Sequence, residues 1–209
     1  VMDLLEGLYT ELVKDVKPSK KIWKTPWPRF SYRETLERFG KDNPDIRFGL
    51  ELKDISDLVS DSKFKVFSET IQKGGEVRGI NAKGLGDYSR KQIDELTEFA
   101  KQYGAGGLAY MALTSNGDER SSFAKFLAEE EKSQILARLQ AEKGDLILFV
   151  ADKPEIVFEC LGRLREFLRD RLGLVDQNTL GFCWVIDFPL VIWNEDEKRW
   201  DPSHHLFTS

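Results

Sequence analysis

The stretch Leu146-Ile147-Leu148-Phe149-Val150-Ala151-Asp152-Lys153-Pro154-Glu155 decides the fold of the central part of this chain. Its first six residues are uniformly apolar, which is typical of a strand buried on both faces. Pro154 suits the first turn of a helix, and the acidic residues Asp152 and Glu155 favour a helix start at the same point. The helix is predicted to end at Gly173. Its buried face carries Ile156, Cys160, Leu164, Phe167 and Leu168.

Upstream of that strand, apolar patterns predict the rest of one unit over residues 55–175. Two short strands come first, followed by a helix that begins at a Ser89 and Gln92 capping box, a strand, and a helical segment. This order is typical of an α+β fold, here a two-layer sandwich with helices on one face of the sheet. The predicted bounds are Phe64–Phe67, Val77–Ile80, Ser89–Gly104, Ala105–Leu113 and 122–142.

Residues 1–54 form a predicted N-terminal segment. An amphipathic helix opens it and ends before Pro18, because proline interrupts a helix. A second helix, Tyr32–Phe39, follows a Ser-x-x-Glu capping box and is ended by Gly40. A turn over Lys41–Asp45 comes next, since its residues bond their own backbone or preset its torsion angles.

Residues 176–209 form a predicted C-terminal segment, an apolar hairpin followed by a polar loop. The loop carries the only two histidines of the chain, His204 and His205. Imidazole titrates near neutral pH and both donates and accepts hydrogen bonds, so such a pair suits recognition of a small charged substrate. The spacing of the two histidines leaves open the alternative that both are ordinary surface residues. Metal binding is not expected, because neighbouring side chains on an extended chain point in opposite directions.

Composition bounds the class of protein. The chain has 209 residues, 41% of them hydrophobic, and a formal net charge of −5. The sequence shows no secretory signal and no apolar run long enough to span a bilayer. We therefore expect a cytoplasmic protein, with location in an organellar matrix as the alternative. The acidic balance argues against coating nucleic acid by bulk charge. Cys160 and Cys183 lie in apolar segments and show no zinc-ligand spacing.

Both ends of the chain resemble bacterial-type aspartyl-tRNA synthetases, which are class II aminoacyl-tRNA synthetases. The first matching stretch comprises Trp27–Glu34 and Arg38–Gly49, and the second comprises Trp184–Leu190 and His204–Ser209. Between them, Ser89–Glu95 and Gly106–Tyr110 resemble the GAD insertion domain of those enzymes. The chain departs from the family's usual residues in having Lys41 and Asn43 for serine and lysine, and Leu206 for proline.

The resemblance implies an organisation. Residues 1–54 and 176–209 would belong to the antiparallel-sheet catalytic domain, and residues 55–175 would be the insertion. The chain begins inside a helical pattern and ends in a loop, so we expect it to be a piece of a longer enzyme. That enzyme would use ATP and Mg²⁺ to activate aspartate and would transfer it to tRNA(Asp), as a homodimer. The second and third class II motifs do not occur here, so the 209 residues alone are expected to be inactive and to hold neither cofactor.

The resemblance also implies roles for individual residues, none of them directly catalytic. His204 would contact the aspartate substrate, and His205 would organise the loop. Lys41, Asp42 and Asp45 either contact the acceptor end of the tRNA or stabilise their own turn. A protonated His204 would favour the carboxylate of aspartate over the amide of asparagine.

Two other functions are compatible with parts of the sequence. The GAD-like unit also resembles part of the B subunit of tRNA-dependent amidotransferases, where it recognises tRNA, but this leaves 182–209 unexplained. An unrelated α+β interaction domain would leave the matches at both ends to chance.

Overall fold

The computed structural model describes residues 1–194 and 197–203. The helices are α1 (Met2–Val16), α2 (Tyr32–Phe39), α3 (Ser56–Val59), α4 (Lys65–Gln72), α5 (Arg90–Lys101), α6 (Glu129–Arg138) and α7 (Pro154–Leu172). The strands are β1 (Lys21–Ile22), β2 (Arg29–Ser31), β3 (Lys53–Asp54), β4 (Glu76–Ala82), β5 (Ala109–Leu113), β6 (Glu119–Ser121), β7 (Leu146–Asp152), β8 (Thr179–Leu180), β9 (Trp184–Ile186), β10 (Val191–Asn194) and β11 (Arg199–Pro202). None of the helices in these residues combines the length and the apolar character that a membrane-spanning segment requires.

The core is a five-stranded antiparallel sheet in the order β3-β4-β7-β5-β6. Strand β7, predicted from its apolar run, lies at the centre and is almost completely buried. Its side chains alternate between two hydrophobic clusters, because successive residues of a strand point to opposite faces. Leu146, Leu148 and Val150 pack with α5 and α7, whereas Ile147 and Phe149 pack with α3, α4 and α6.

The mixed helix-and-strand class predicted from the sequence is confirmed, and the structure adds a second helical layer. Helices cover both faces of the sheet, where the prediction had covered one. The predicted strand at Phe64–Phe67 is wrong, because Lys65 begins α4. Phe64, Phe67 and Ile71 follow helical spacing, and both Phe64 and Phe67 pack against Phe123.

Local signals fixed several helix ends. Ser89 and Gln92 form the predicted capping box, and the hydroxyl of Ser31 accepts a hydrogen bond from the backbone N–H of Glu34. Asp152 does not cap α7 as predicted; the N-cap is Lys153, whose own N–H bonds the Asp152 carboxylate. The helical segment predicted at 122–142 is a short 3-10 turn (Ala124–Phe126) and then α6, and three glutamates form the first turn of α6. Acidic side chains favour that position, since helix N-termini are electropositive.

The two flanking segments meet through short strand pairs. Strand β1 pairs with β8 and β2 pairs with β9, both in parallel. Within the C-terminal flank, β10 pairs with β11 in an antiparallel hairpin. The predicted strand from Phe182 to Leu190 is interrupted after Ile186, since Asp187 has a left-handed φ of 59°. The flanks therefore lie side by side, although the whole sheet separates them along the chain. The boundaries at residues 55 and 175 stay a prediction.

Candidate functional site

A cleft of about 340 Å³ opens where the flanking segments meet. It is lined by Tyr32, Asp42, Phe188 and Ser203. These residues come from three separate stretches of chain, and Ser203 immediately precedes the predicted substrate-binding His204. The cleft therefore includes the last described residue before the histidine pair that the sequence singled out.

Strand pairing assembles the aromatic side of the cleft. Ser31 at the end of β2 is in register with Ile186 at the end of β9, so the residues that follow these strands come together. The rings of Tyr32 and Phe188 lie 5.0 Å apart between centroids. In the β10–β11 hairpin, the N–H of Ser203 donates to the carbonyl of Leu190 at 3.0 Å, which extends the strand pairing to the residue that lines the cleft.

The charged side chains of the predicted turn at Lys41–Asp45 have two kinds of surroundings: one lines the cleft, and the others form ion pairs. Asp42 is exposed and lines the cleft. Lys41 instead forms an ion pair with Glu166 of α7 at 2.9 Å. Asp45 accepts hydrogen bonds from Arg47 at 2.8 and 2.9 Å and forms an ion pair with Arg169 of α7 at 3.4 Å. Two of the three candidate residues therefore have structural partners, and one faces the cleft.

Arg165 of α7 fixes the continuation of this turn. Its side chain is almost completely buried and donates to the carbonyls of Asp45, Phe48 and Gly49 at 2.7, 3.1 and 3.2 Å. The guanidinium carbon lies 3.9 Å from the centroid of the Phe48 ring, a distance suited to a cation–π contact. Burial lowers the pKa of Arg165 to about 10, which leaves it protonated at neutral pH.

The role of Arg165 in holding residues 45–49 was not predicted from the sequence, although a signal for it was present. Leu161, Arg165 and Leu168 recur at i, i+4 and i+7, and all three are buried in the structure. An arginine on the apolar stripe of a helix indicates a buried cation that must find acceptors. The sequence could not say that these acceptors are carbonyls about 120 residues earlier in the chain, since that pairing is tertiary.

His204, His205 and Leu206 lie outside the described residues. Among the residues that are described, no group of three or more histidine, cysteine, aspartate or glutamate side chains is arranged to hold a metal ion.

Asp45 gives a pH-dependent contribution to stability. Burial opposes its ionisation, but hydrogen bonds from Arg47 and the charge of Arg169 hold the pKa of the carboxyl below its usual value. Its contribution is therefore present above the unfolded-state pKa, about 3.9, and is lost as the pH falls through the folded-state value. We expect Asp45→Asn to lower the free energy of unfolding by about 1–3 kcal/mol at pH 7 and by less at pH 3, which lies below the unfolded-state pKa.

Urea unfolding at both pH values measures this difference. Asp94→Asn, at an exposed position of α5, is the matched control and should change little. An equal loss for Asp45→Asn at pH 7 and pH 3 would contradict the electrostatic explanation.

Comparison with known proteins adds an independent observation. A model of the GAD domain matches residues 67–161. Over its whole length the chain is similar to three curated relatives, each described as an aspartate–tRNA(Asp/Asn) ligase. The identity is 50% for the protein of Rubrobacter xylanophilus and 49% for those of Geotalea uraniireducens and Symbiobacterium thermophilum. Each match covers 100% of this chain but only 34–35% of the relative, so the chain spans about a third of the relatives' length. The resemblance found at both ends and in the middle of the sequence is confirmed.

Proposed function

We propose that this chain is part of an enzyme that activates aspartate with ATP and transfers it to tRNA. The chain contains a GAD domain and is related along its whole length to aspartate–tRNA ligases. The observation that carries this proposal is identity of about half over all of the chain, flanks included. An amidotransferase-type tRNA-binding module would account for the GAD domain alone. The relatives are named for both tRNA(Asp) and tRNA(Asn), so both are candidate acceptors.

The cleft beside Ser203 is the proposed aspartate site. An amino acid carries a positive ammonium group, and the exposed carboxylate of Asp42 offers it an ion pair. His204, the next residue after Ser203, would supply the opposite charge to the side-chain carboxylate of aspartate when protonated. His205 would support the loop. A site with one negative and one positive group matches the charge distribution of aspartate and disfavours asparagine, which lacks the second charge.

The remaining parts of the reaction involve groups that this chain does not contain. The resemblance assigns ATP and Mg²⁺ to the second and third class II motifs, where arginines and the metal would stabilise charge on the transferring phosphate. We further propose that the longer enzyme is a cytoplasmic homodimer and that the GAD domain lies near the acceptor arm of the tRNA. Lys41 and Asp45 would then act through the shape of their turn, because α7 already pairs both side chains.

Pyrophosphate exchange into ATP, driven by aspartate, asparagine or lysine, tests the proposal on the full-length enzyme. We expect exchange with aspartate only. His204→Ala should lower kcat/KM for aspartate by about tenfold or more, since it removes one charge-assisted hydrogen bond. The preference for aspartate over asparagine should weaken as the pH rises and His204 loses its proton.

Lys91→Ala, at an exposed position of α5, is the control for general effects of mutation. Unchanged kinetics in His204→Ala would remove the substrate role of that residue but leave the ligase assignment intact. Absence of exchange with every amino acid, in a correctly folded full-length protein, would overturn the ligase assignment itself.

A further inference from the structure

Helix α7 connects the central sheet with the cleft beside Ser203. Its first part, Pro154–Leu161, lies within the residues that match the GAD domain, and the helix continues beyond them. One face of α7, with Leu164 and Leu168, is buried in the hydrophobic cluster that also contains side chains of β7 and α5. Another face contacts residues 40–49, the segment that carries Asp42 into the cleft. The helix therefore contacts both the sheet and the segment that lines the cleft.

The closest approach between α7 and this segment joins two glycines. A Cβ added at Gly162 would lie 2.9 Å from the carbonyl oxygen of Gly40, and a Cβ added at Gly40 would lie 2.8 Å from the Cα of Gly162. The contact is thus between the two backbones, and no side chain stands between them that could adjust its rotamer. Because packed backbones resist displacement, α7 fixes where the turn begins.

Two further contacts with α7 bracket Asp42 along the chain. On one side, Lys41 Nζ donates to both carboxylate oxygens of Glu166, at 2.9 and 3.1 Å. On the other side, Arg165 donates to the carbonyl of Asp45 at 2.7 Å. Both partners belong to the same helix, so the residues before and after Asp42 are held against one rigid element.

The side chain of Asp42 has no such support of its own. It is exposed and lines the cleft, and no described residue forms a hydrogen bond or an ion pair with its carboxylate. The direction of this carboxylate therefore depends on the backbone that carries it. A charged group meets its ligand only if that backbone is placed correctly, and a shift of about 1 Å can weaken such a contact severely.

We propose that the unit over residues 55–175 takes part in aspartate recognition through α7, with Glu166 as a positioning residue. Glu166 holds Lys41, and the turn so fixed places the carboxylate of Asp42 against the ammonium group of aspartate. The inference rests on the proposed aspartate site. It gives the helix that leaves the GAD domain a role in amino-acid binding, separable from any contact with RNA.

Pyrophosphate exchange by the full-length enzyme in the absence of tRNA tests this role. Glu166→Gln should raise KM for aspartate about three- to tenfold, because the turn loses its anchor, and should leave kcat and KM for ATP within about twofold. Glu159→Gln is the matched control. It removes the same charge from the same helix, but Glu159 bonds Arg163 and not the turn, so KM for aspartate should not change.

A double-mutant cycle separates positioning from a general structural effect. Asp42→Asn alone should raise KM for aspartate by about tenfold or more, since it removes the charge that meets the ammonium group. Adding Glu166→Gln to Asp42→Asn should raise KM no further, because no carboxylate remains to be positioned. A structural effect unrelated to Asp42 would raise KM by the same factor in both backgrounds.

The outcomes distinguish this inference from the proposed function. Unchanged KM for aspartate in Glu166→Gln overturns the positioning role and leaves the ligase assignment intact, and so does an equal rise with and without Asp42→Asn. A rise in KM for ATP as large as that for aspartate also overturns it. Absence of exchange by the wild-type enzyme overturns the ligase assignment, and the positioning role with it. Urea unfolding of each variant verifies that altered kinetics are not loss of fold.

Discussion

Arg165→Ala is expected to lower the free energy of unfolding by about 3–5 kcal/mol. The wild-type guanidinium is almost completely buried and donates to three backbone carbonyls of the 45–49 segment. Truncation leaves those carbonyls without donors and opens a cavity between the rings of Phe39 and Phe48, over which the guanidinium lies. Urea unfolding, followed by circular dichroism, measures the loss.

Arg163→Ala is the matched control on the same helix. Arg163 is 41% exposed and pairs with Glu159 one turn away, an interaction worth only about 0.3–0.5 kcal/mol. If both variants lose the same small amount, Arg165 does not anchor the segment. Arg165→Lys separates charge from geometry, because lysine retains the charge but cannot reach three carbonyls with a planar fork.

Gly40→Ala is expected to lower the free energy of unfolding by about 2–5 kcal/mol, from backbone strain and steric overlap together. Gly40 ends α2 with a φ of 72°, which disfavours any residue with a Cβ. An added Cβ would lie 2.3 Å from the carbonyl oxygen of Phe158 and 2.8 Å from the Cα of Gly162, both on α7. Since the neighbours are backbone atoms, they cannot move aside without displacing the helix.

Two other glycines separate the contributions. Gly74 has a φ of 83° with open space where a Cβ would stand, so Gly74→Ala measures the backbone strain alone. Gly7 lies in α1 with neither strain nor contact, and Gly7→Ala should raise stability by about 0.5–1 kcal/mol. A loss for Gly40→Ala no larger than that for Gly74→Ala would show that the close approach to α7 costs nothing.

The parts of the fold that the sequence predicted are those with local causes. Strand β7 follows from one apolar run, and α5 follows from a capping box and a helical stripe. The error at Phe64–Phe67 has a local cause too, because four residues are too few to distinguish period 2 from period 3.6. The strand predicted to begin at Ala105 begins at Ala109, after a glycine pair.

The candidate site was predictable only in its components. Tyr32, Asp42 and Ser203 each lie in a segment that the sequence identified, but their convergence depends on the pairing of β2 with β9. The anchoring of Asp45 by Arg169, and of Lys41 by Glu166, likewise joins residues that are 124 and 125 positions apart in the chain. No spacing rule relates such residues, so a single sequence cannot state that they meet.

The pairing of β2 with β9 also sets an order of events during synthesis. Residues in register, such as Arg29 and Trp184, are 155 positions apart. Loop-closure entropy grows only slowly with length, so their pairing costs little more than that of nearer strands. The central strand β7 ends at Asp152, 32 residues before Trp184, and a ribosome adding about 5–20 residues per second makes this stretch in about 2–6 s. The five-stranded sheet can begin to form in that interval, before the partner strand of β2 has been synthesised. The cleft beside Ser203 is therefore completed only after the last strand of the sheet has been made.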